Sequence, residues 1–302
     1  MAGFTPNKNM LLLHLTVLVW GFTGILGALI SISAMHLVWY RVLIAALSLF
    51  LYFQISGRDL RVNKSDLFRF LMTGGLVGLH WFLFFQSIKV ATVSVTLVCM
   101  SSITLFTSVL EPLFYRRKID SADVITGIFI IAGIYLIFTF ETQYVLGIVL
   151  GLLCAICASI FSIINSKLVK STQATVISFY EMVGAWGWIS LYMLVSGGFN
   201  AGMKLNQADL IYLLLLGTIC TSVAYAAGIL VMKKLSAFTV ALVTNLEPVY
   251  GILLALIIFN KSEKMSSGFY LGALIVLAAV FGYPFIKSGL KNRSKIQPSK
   301  IS

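Results

Sequence analysis

Ten apolar segments, each near the length needed to cross a bilayer, constrain this chain more than any other feature. A transmembrane helix needs about 20 predominantly apolar residues, and only 11% of the 302 residues are charged. Hydrophobic residues make up 59% of the chain, above the roughly 45–50% that is typical of soluble domains. The sequence therefore predicts an all-α integral membrane protein with ten transmembrane helices, at residues about 10–31, 36–54, 67–87, 91–113, 122–139, 145–168, 174–196, 209–231, 237–259 and 268–286.

Basic residues between the segments are distributed unequally over the two faces of the membrane. With the N-terminus inside, 17 Lys and Arg residues fall on the cytoplasmic side and 4 on the outer side, and Arg41 within a span completes the 22. Cytoplasmic loops carry the excess of Lys and Arg, so we predict cytoplasmic termini in a multi-pass protein of the bacterial inner membrane. The net charge of +12 then serves orientation and contact with anionic lipids of the bilayer. Nucleic-acid binding is not expected, because no folded basic domain is present.

The two halves of the sequence resemble each other. A shift of 145 residues places "KVATVSVTLV" (89–98) on "KLSAFTVALV" (234–243) without a gap, and Gly127 on Gly272. Five spans per half is an odd number, so the second half must enter the membrane from the opposite side. We predict an inverted repeat, an architecture that many secondary transporters use for alternating access. Its parts are a five-helix repeat at residues 1–140, a second at 141–288 and a basic cytoplasmic tail at 289–302.

A carboxylate and a proline interrupt the ninth span, in "TNLEPVYG" (244–251). Glu247 follows about ten residues into the span, roughly 15 Å, which is half of the hydrocarbon core. Pro248 lacks an N–H group and crowds the carbonyl of Thr244, so the helix is predicted to kink there. Ionisable groups inside a membrane are costly and usually face the interior of the helix bundle. We interpret Glu247 and Asn245 as substrate-binding residues; a structural role for Glu247 is the alternative.

Polar and aromatic residues in other spans complete the predicted substrate site. They are Ser102, His80, Trp81, Tyr225 and Asn165. For each aromatic residue, packing or a place in the interfacial aromatic belt is the alternative. Together they predict an aromatic, weakly acidic pocket for zwitterionic, cationic or aromatic solutes. Phosphorylated anions are not expected as substrates, because they need fixed positive charge and no lysine lies at mid-span depth.

Three further acidic or basic positions lie away from the predicted centre. Arg41 and Glu181 occupy equivalent repeat positions, Arg41 near the outer end of the second span and Glu181 near the inner end of the seventh. We interpret them as gates or helix anchors, with snorkelling of Arg41 toward the interface as the alternative. Because Arg41 is predicted near the outer face, direct pairing with Glu247 is not expected. Glu111 is interpreted as an interfacial partner of Arg116 and Arg117.

Several of these residues resemble a known transporter family. Trp20-Gly21, Arg41 and above all "LEPVYGILLALIIF" (246–259) followed by "SEKMSSGFYLGALIVLAAV" (262–280) are similar to the EamA-domain branch of the drug/metabolite transporter superfamily. The resemblance covers the whole chain as two five-helix halves. It implies export of amino acids or related metabolites, without a cofactor.

The chain departs from the pattern of that family in two places. The family usually has a proline in the fourth span as well, where this chain has Ile103 or Thr104. Its helix exits usually carry a Gly-Glu pair, whereas the second exit here is Asn260-Lys261-Ser262-Glu263. These departures concern the subfamily rather than the superfamily.

Other function classes are less consistent with the sequence. An intramembrane enzyme would need a nucleophile–base pair or a metal cluster, and the motifs His-Glu-x-x-His and Gly-x-Ser-x-Gly are absent. We therefore predict no enzyme and no metal site. A secondary transporter that moves a small organic metabolite by alternating access is favoured over a channel or facilitator, because of the inverted repeat and the mid-span kink. The sequence leaves the choice between a monomer and a homodimer open.

The inverted repeat can be tested through its topology. A reporter enzyme fused after Ser302, or inserted into the loop around Arg61, should be active in the cytoplasm, because the basic loops are retained there. A reporter near Lys204 should be active outside and serves as the control. A periplasmic location at either of the first two places would contradict the scheme.

Overall fold

The chain is built from helices. The computed structural model describes residues 8–296, without the side chains at 261 and 291–296, and within this range it contains no strand. The first half comprises α1 (Lys8–Leu29), α2 (Ala34–Ser56), α3 (Lys64–Val90), α4 (Val93–Met100), α5 (Ile103–Tyr115) and α6 (Ser121–Phe140). The second half comprises α7 (Val145–Leu168), α8 (Ala174–Ser196), α9 (Gln207–Gly217), α10 (Ala224–Val231), α11 (Ala237–Thr244), α12 (Leu246–Phe259) and α13 (Ser267–Ile296).

Nine helical spans within residues 8–296 are long and apolar enough to cross a membrane. They correspond to nine of the ten predicted spans, with α4–α5, α9–α10 and α11–α12 each forming one span. The seventh predicted span is α8, which has 23 residues and is not among the nine. It is less apolar because it contains Glu181, two tryptophans and two tyrosines. The predicted tail begins inside α13, and its residues 297–302 lie outside the described part of the chain.

Polar residues and glycines define the helix ends. The side chains of Asn63, Asn206 and Ser236 accept hydrogen bonds from backbone N–H groups three residues ahead, at 2.8, 2.7 and 3.0 Å, as N-caps do. Gly57 and Gly197 end α2 and α8 in the left-handed conformation, with φ of 63° and 70°, which glycine adopts without steric cost. The two glycines are 140 residues apart, as are Arg41 and Glu181, which occupy equivalent positions in the two halves.

The fourth and ninth spans are both broken near the middle. The first break lies between Met100 and Ile103, and the second lies at Asn245. At each break the backbone tightens, with Ser102 N donating to Cys99 O at 3.1 Å and Asn245 N donating to Leu242 O at 3.4 Å.

The second break lies three residues before Pro248, where the kink was predicted. Pro248 is in the first turn of α12, where a missing N–H group leaves no helical hydrogen bond unmade. The fourth span breaks without a proline, at the pair Ser101-Ser102. The side chain of Ser102 donates to Cys99 O at 2.7 Å, which gives the chain an alternative to the regular helical bond there. A proline is therefore not required for this break.

The two halves are interleaved and share one core. Helix α1 packs against α10 and α12 of the second half, and its counterpart α7 packs against α3, α4 and α5 of the first. Helix α2 packs against α8 and α9, while α8 packs against α3. Helices α6 and α13, the last helix of each half, pack against each other. The contacts thus follow the exchange of one half for the other, as expected for a repeat related by a pseudo-two-fold axis.

Apolar side chains cover the outside of the bundle. On α6, Ile128, Phe129, Ile131 and Tyr135 are all more than half exposed, at 61%, 51%, 59% and 68%. Contiguous apolar surface of this kind is rare on soluble monomers. It fits contact with lipid chains.

Glycines allow the close approach of α3 and α8. A Cβ atom at Gly74 would lie 2.3 Å from the carbonyl oxygen of Glu181 and 3.0 Å from Ala185 N. On the facing helix, a Cβ atom at Gly184 would lie 2.6 Å from Leu71 O. Small residues at such interfaces let two backbones come together in a membrane.

This contact predicts that the effect of a glycine-to-alanine substitution on thermal stability depends on whether the glycine lies between α3 and α8. Gly74→Ala should lower the midpoint of thermal unfolding of the purified protein, because the backbone must move apart at a cost of about 1–3 kcal/mol. Gly187→Ala on α8, where a Cβ atom meets nothing within 4 Å, should leave it unchanged or raise it. Equal midpoints for both variants would show that α3 and α8 are not in this contact.

Candidate functional site

A cavity lies between the two halves of the bundle. Its volume is about 90 Å³, which is room for several water molecules. Helices α6 and α13 do not contribute to its wall. Its lining residues are Trp20, Thr23, Arg41, His80, Trp81, Phe84, Met100, Ile103, Ala158, Phe161, Ser162, Asn165, Tyr225, Gly228, Ile229, Met232, Val240, Ala241, Thr244 and Glu247.

Arg41 is the buried cation of this cavity. Its guanidinium carbon lies 4.1 Å from the ring centroid of Trp81 and 5.3 Å from that of Phe85, and its Nε donates to Thr221 Oγ1 at 2.7 Å. The side chain is only 1% exposed, so the aromatic rings replace part of its lost hydration. Among the described residues, Nη1 has no hydrogen-bond partner. A donor is therefore available to an anionic group.

A π-helical turn, Thr218–Val223, orients the residue that binds Arg41. The hydroxyl of Thr221 donates to Leu216 O at 2.6 Å, five residues back, so its lone pairs face the guanidinium. Turns of this kind within α-helices often occur at functional sites. Thr221 was not predicted as a site residue, because a threonine within an apolar run gives no signal for a π turn.

Glu247 is the carboxylate of the same cavity. It is the second residue of α12 and 8% exposed, and the described residues show no hydrogen bond to its carboxylate. The N-terminus of α12 favours negative charge there. Glu247 and Arg41 are close enough to interact electrostatically, but no direct ion pair joins them within residues 8–296.

Arg41 was predicted near the outer end of the second span, without direct pairing to Glu247. In the structure it lies seven residues into α2, which begins at Ala34, about 10 Å along the helix at 1.5 Å per residue, and within residues 8–296 no ion pair joins it to Glu247. Its long side chain extends into the cavity, because the aromatic rings and Thr221 hold it there. Arg41 and Glu247 thus line one cavity.

Four aromatic side chains form one wall of the cavity. Ring centroids lie 5.6 Å apart for Trp81 and Tyr225, 5.2 Å for His80 and Phe161, and 6.1 Å for Phe161 and Tyr225. The Nδ1 atom of His80 donates to Cys154 O at 3.0 Å, because a carbonyl oxygen can only accept. His80 is therefore fixed by α7, and the wall offers flat apolar surface to a solute.

A second carboxylate lies behind this wall. Glu181 Oε2 accepts hydrogen bonds from Tyr225 OH at 2.8 Å and from Asn165 Nδ2 at 3.2 Å. Asn165 and Tyr225 line the cavity, whereas Glu181 does not. The predicted gate residue is thus connected to two of the predicted substrate-binding residues.

Two predicted substrate-binding residues do not line the cavity. Asn245 donates through Nδ2 to Ala241 O at 2.9 Å and to Thr104 Oγ1, and Ser102 is bonded to the backbone of Cys99. Both side chains are at most 1% exposed. They lie at the two helix breaks, where they form hydrogen bonds with nearby backbone carbonyl and hydroxyl groups. The direction of their side chains depends on the break, which the sequence spacing did not give.

Several lining residues were not predicted. Trp20, Thr23, Phe84 and Phe161 lie in apolar helix segments. In the sequence such residues are indistinguishable from those that pack or face lipid. Only the arrangement of the helices places them on the cavity.

Each broken span is capped by a carboxylate from the other broken span. Glu263, which follows α12, accepts from Val93 N and Ser94 N at the start of α4, both at 2.9 Å. Glu111 on α5 accepts from Phe238 N at the start of α11 at 3.2 Å. The first contact is buried, with Glu263 5% exposed, and the second is half-buried. Carboxylates at helix N-termini are favoured by the unpaired N–H groups and the helix dipole.

The contact of Glu111 differs from the prediction. It was expected to pair with Arg116 and Arg117 at the interface. Within residues 8–296 it forms no ion pair with either arginine, although Arg117 is near enough for an electrostatic interaction. The N-terminus of α11 takes the carboxylate instead, because its N–H groups have no helical partners.

Comparison with known proteins identifies the family. The sequence model of the EamA-like transporter family matches residues 7–139 and 145–283, once in each half. The chain belongs to the EamA-like transporter family. This EamA-like protein is therefore a multi-pass membrane transporter of the drug/metabolite transporter superfamily, as the sequence resemblance implied, and its family consists of transporters rather than enzymes.

Other comparisons give the fold alone. One solved protein, described only as a crystal structure of a protein, is similar to this EamA-like transporter, with a TM-score of 0.68 over 95% of this chain and 99% of the other. Their sequences are 17% identical. No curated protein matches the sequence significantly.

The hydrogen bond between Arg41 and Thr221 generates a test of the site. Thr221→Val should weaken solute binding about tenfold or more, because a hydrogen bond to a charged group contributes about 1.5–3 kcal/mol. Thr218→Val in the same turn is the control, since its hydroxyl bonds only Leu214 O. Binding can be measured by calorimetry with solutes identified in a thermal-shift screen. Equal effects of the two substitutions would contradict the role of Thr221.

Proposed function

We propose that this EamA-like transporter moves a zwitterionic amino acid with an apolar side chain across the bacterial inner membrane by alternating access. One observation carries the proposal. Among the described residues, Nη1 of Arg41 has no hydrogen-bond partner and the carboxylate of Glu247 accepts no hydrogen bond, and both side chains line one aromatic cavity. A solute carrying a carboxylate and an ammonium group would satisfy both.

The charged groups of the cavity favour zwitterionic solutes over amines and acids that carry only one charge. An amine without a carboxylate leaves Nη1 of Arg41 unpaired, and an acid without an ammonium group leaves Glu247 unpaired. Each such buried group costs its full desolvation free energy. The wall formed by His80, Trp81, Phe161 and Tyr225 would bury the apolar side chain.

The proposed topology has ten membrane-spanning segments, because α8 is counted in addition to the nine apolar spans. Both termini lie in the cytoplasm. In this orientation, Glu263 caps α4 at the outer face and Glu111 caps α11 at the cytoplasmic face. The outer contact is buried and bidentate, and the cytoplasmic one is half-buried. This difference supports a state that is closed outside and closer to opening inside, from which a cytoplasmic solute could enter.

Export is the direction that this asymmetry favours. The lining residues of α7 and of the spans α9–α10 and α11–α12 lie mainly in the halves of these spans that the proposed topology places toward the cytoplasm, whereas those of α1, α2 and α3 lie in the outer halves. At the opposite end, Asp209 accepts from Ser31 N at 2.7 Å and from its hydroxyl at 2.6 Å, and Lys89 donates to Ile30 O. These contacts would have to break before a solute could leave on the outer side.

A series of solutes that lack one of the two charges of leucine tests the site. Wild-type protein in vesicles should exchange leucine at least tenfold better than isopentylamine or isocaproate, which each lack one charge. Glu247→Gln should reduce the preference for leucine over isocaproate, and Arg41→Gln the preference over isopentylamine. Asp59→Asn in the exposed loop between α2 and α3 is the control and should leave both preferences intact.

The outcomes separate the alternatives. Loss of exchange without a change in either preference would make the two residues structural. Transport without counterflow of preloaded leucine would favour a facilitator or channel. If Arg41→Gln does not fold, Thr221→Val tests the role of Arg41 in the preference over isopentylamine, because it removes the side-chain acceptor of the guanidinium.

A further inference from the structure

Two buried oxygen atoms in the cluster behind the cavity wall lack a donor. Glu181 Oε1 and Asn165 Oδ1 have no hydrogen-bond partner among the described residues, and both side chains are fully buried. The available donors, Tyr225 OH and Asn165 Nδ2, already bond Glu181 Oε2. Buried polar atoms are rarely left unpaired. The cluster therefore lacks one hydrogen.

Within residues 8–296, Glu181 forms no ion pair with a cationic side chain. The titratable groups that line the cavity from the helices around it have other partners: Arg41 of α2 bonds Thr221 and His80 of α3 bonds Cys154. Glu247 of α12 interacts with Arg41. From α10, Tyr225 contributes its hydroxyl, which is a neutral donor.

We propose that Glu181 is the proton-binding site of the transporter, with Asn165 and Tyr225 as its partners, and that it is separate from the solute-binding carboxylate Glu247. This inference rests on the proposed transport function. A proton on Oε1 makes that atom a donor toward Asn165 Oδ1. Together with the existing bond from Asn165 Nδ2 to Oε2, this bond would give both unpaired oxygen atoms a partner.

The same cluster can also hold the ionised form. When the proton leaves Oε1, it reaches the cavity past Asn165 and Tyr225, which line the cavity and separate Glu181 from it. Tyr225 OH and Asn165 Nδ2 then serve as donors to the carboxylate. Hydrogen bonds to the charged form are the means by which proteins stabilise a buried carboxylate without a cation. Both protonation states therefore have partners, which a coupling site requires.

The cavity is connected to this site through Tyr225. Its ring lies 5.6 Å from Trp81, the ring on which Arg41 is stacked, and its hydroxyl bonds Glu181. A solute that binds to Arg41 and Glu247 must lie against this wall. Movement of Tyr225 would remove a donor from the ionised carboxylate, so solute binding and proton binding are linked and must affect each other reciprocally.

Substitution of Glu181 and substitution of Glu247 are predicted to have different effects on transport. In vesicles, Glu181→Gln should abolish the stimulation of net leucine flux by a pH gradient, whatever exchange rate remains. Glu247→Gln should reduce leucine exchange while the remaining flux still responds to the pH gradient. Loss of the pH response in Glu247→Gln with retention in Glu181→Gln would overturn the assignment. A response of the wild type to a sodium gradient in place of a pH gradient would also overturn it.

A measurement that needs no transport tests the proton itself. The infrared band of a protonated carboxylic acid should be present in the purified wild-type protein at neutral pH and in Glu247→Gln, and absent in Glu181→Gln. If the band persists in Glu181→Gln, the proton is elsewhere and the proposal is wrong. If wild-type vesicles do not carry amino acids but the band behaves as expected, the proposed function fails while the proton site stands.

Discussion

The buried guanidinium of Arg41 is the interaction on which the site depends. A cation at 1% exposure is tolerated in a membrane protein only when other groups replace its hydration. Here Trp81 and Phe85 of α3 and Thr221 of the π-helical turn do so. Three helices from both halves are thereby fixed around one charge. The unpaired Nη1 and the nearby Glu247 then give the cavity its complementary charges.

The two halves of the chain use their equivalent positions for opposite purposes. Arg41 and Glu181 are related by the repeat, yet one places a positive charge on the cavity and the other lies behind its wall with two neutral donors. The broken spans remain symmetric, since each is capped at its N-terminus by a carboxylate from the other, Glu263 or Glu111. Binding sites formed by discontinuous helices from the two repeats are typical of secondary transporters, and the proposed alternating access would use the unequal caps of this pair.

Much of the predicted site is brought together by the fold. His80, Trp81, Tyr225, Asn165 and Glu247 line one cavity, and Glu181 bonds two of them. Asn245 and Ser102 lie at the helix breaks instead, because a break rotates the side chains beside it. Sequence spacing assumes a regular helix, so it gives depth along a span but not direction next to a break.

The sequence by itself determined the apolar spans, the repeat and the family, because each span must satisfy its own backbone hydrogen bonds in lipid and so carries its own signal. It also identified the polar residues that are costly at mid-span. Only the tertiary structure decided that Arg41 faces Glu247, that Thr221 holds it and that Glu111 caps α11. These contacts join residues far apart in the chain, and the lateral packing of helices depends on shape complementarity among small and apolar side chains, which the hydropathy of a single span does not encode.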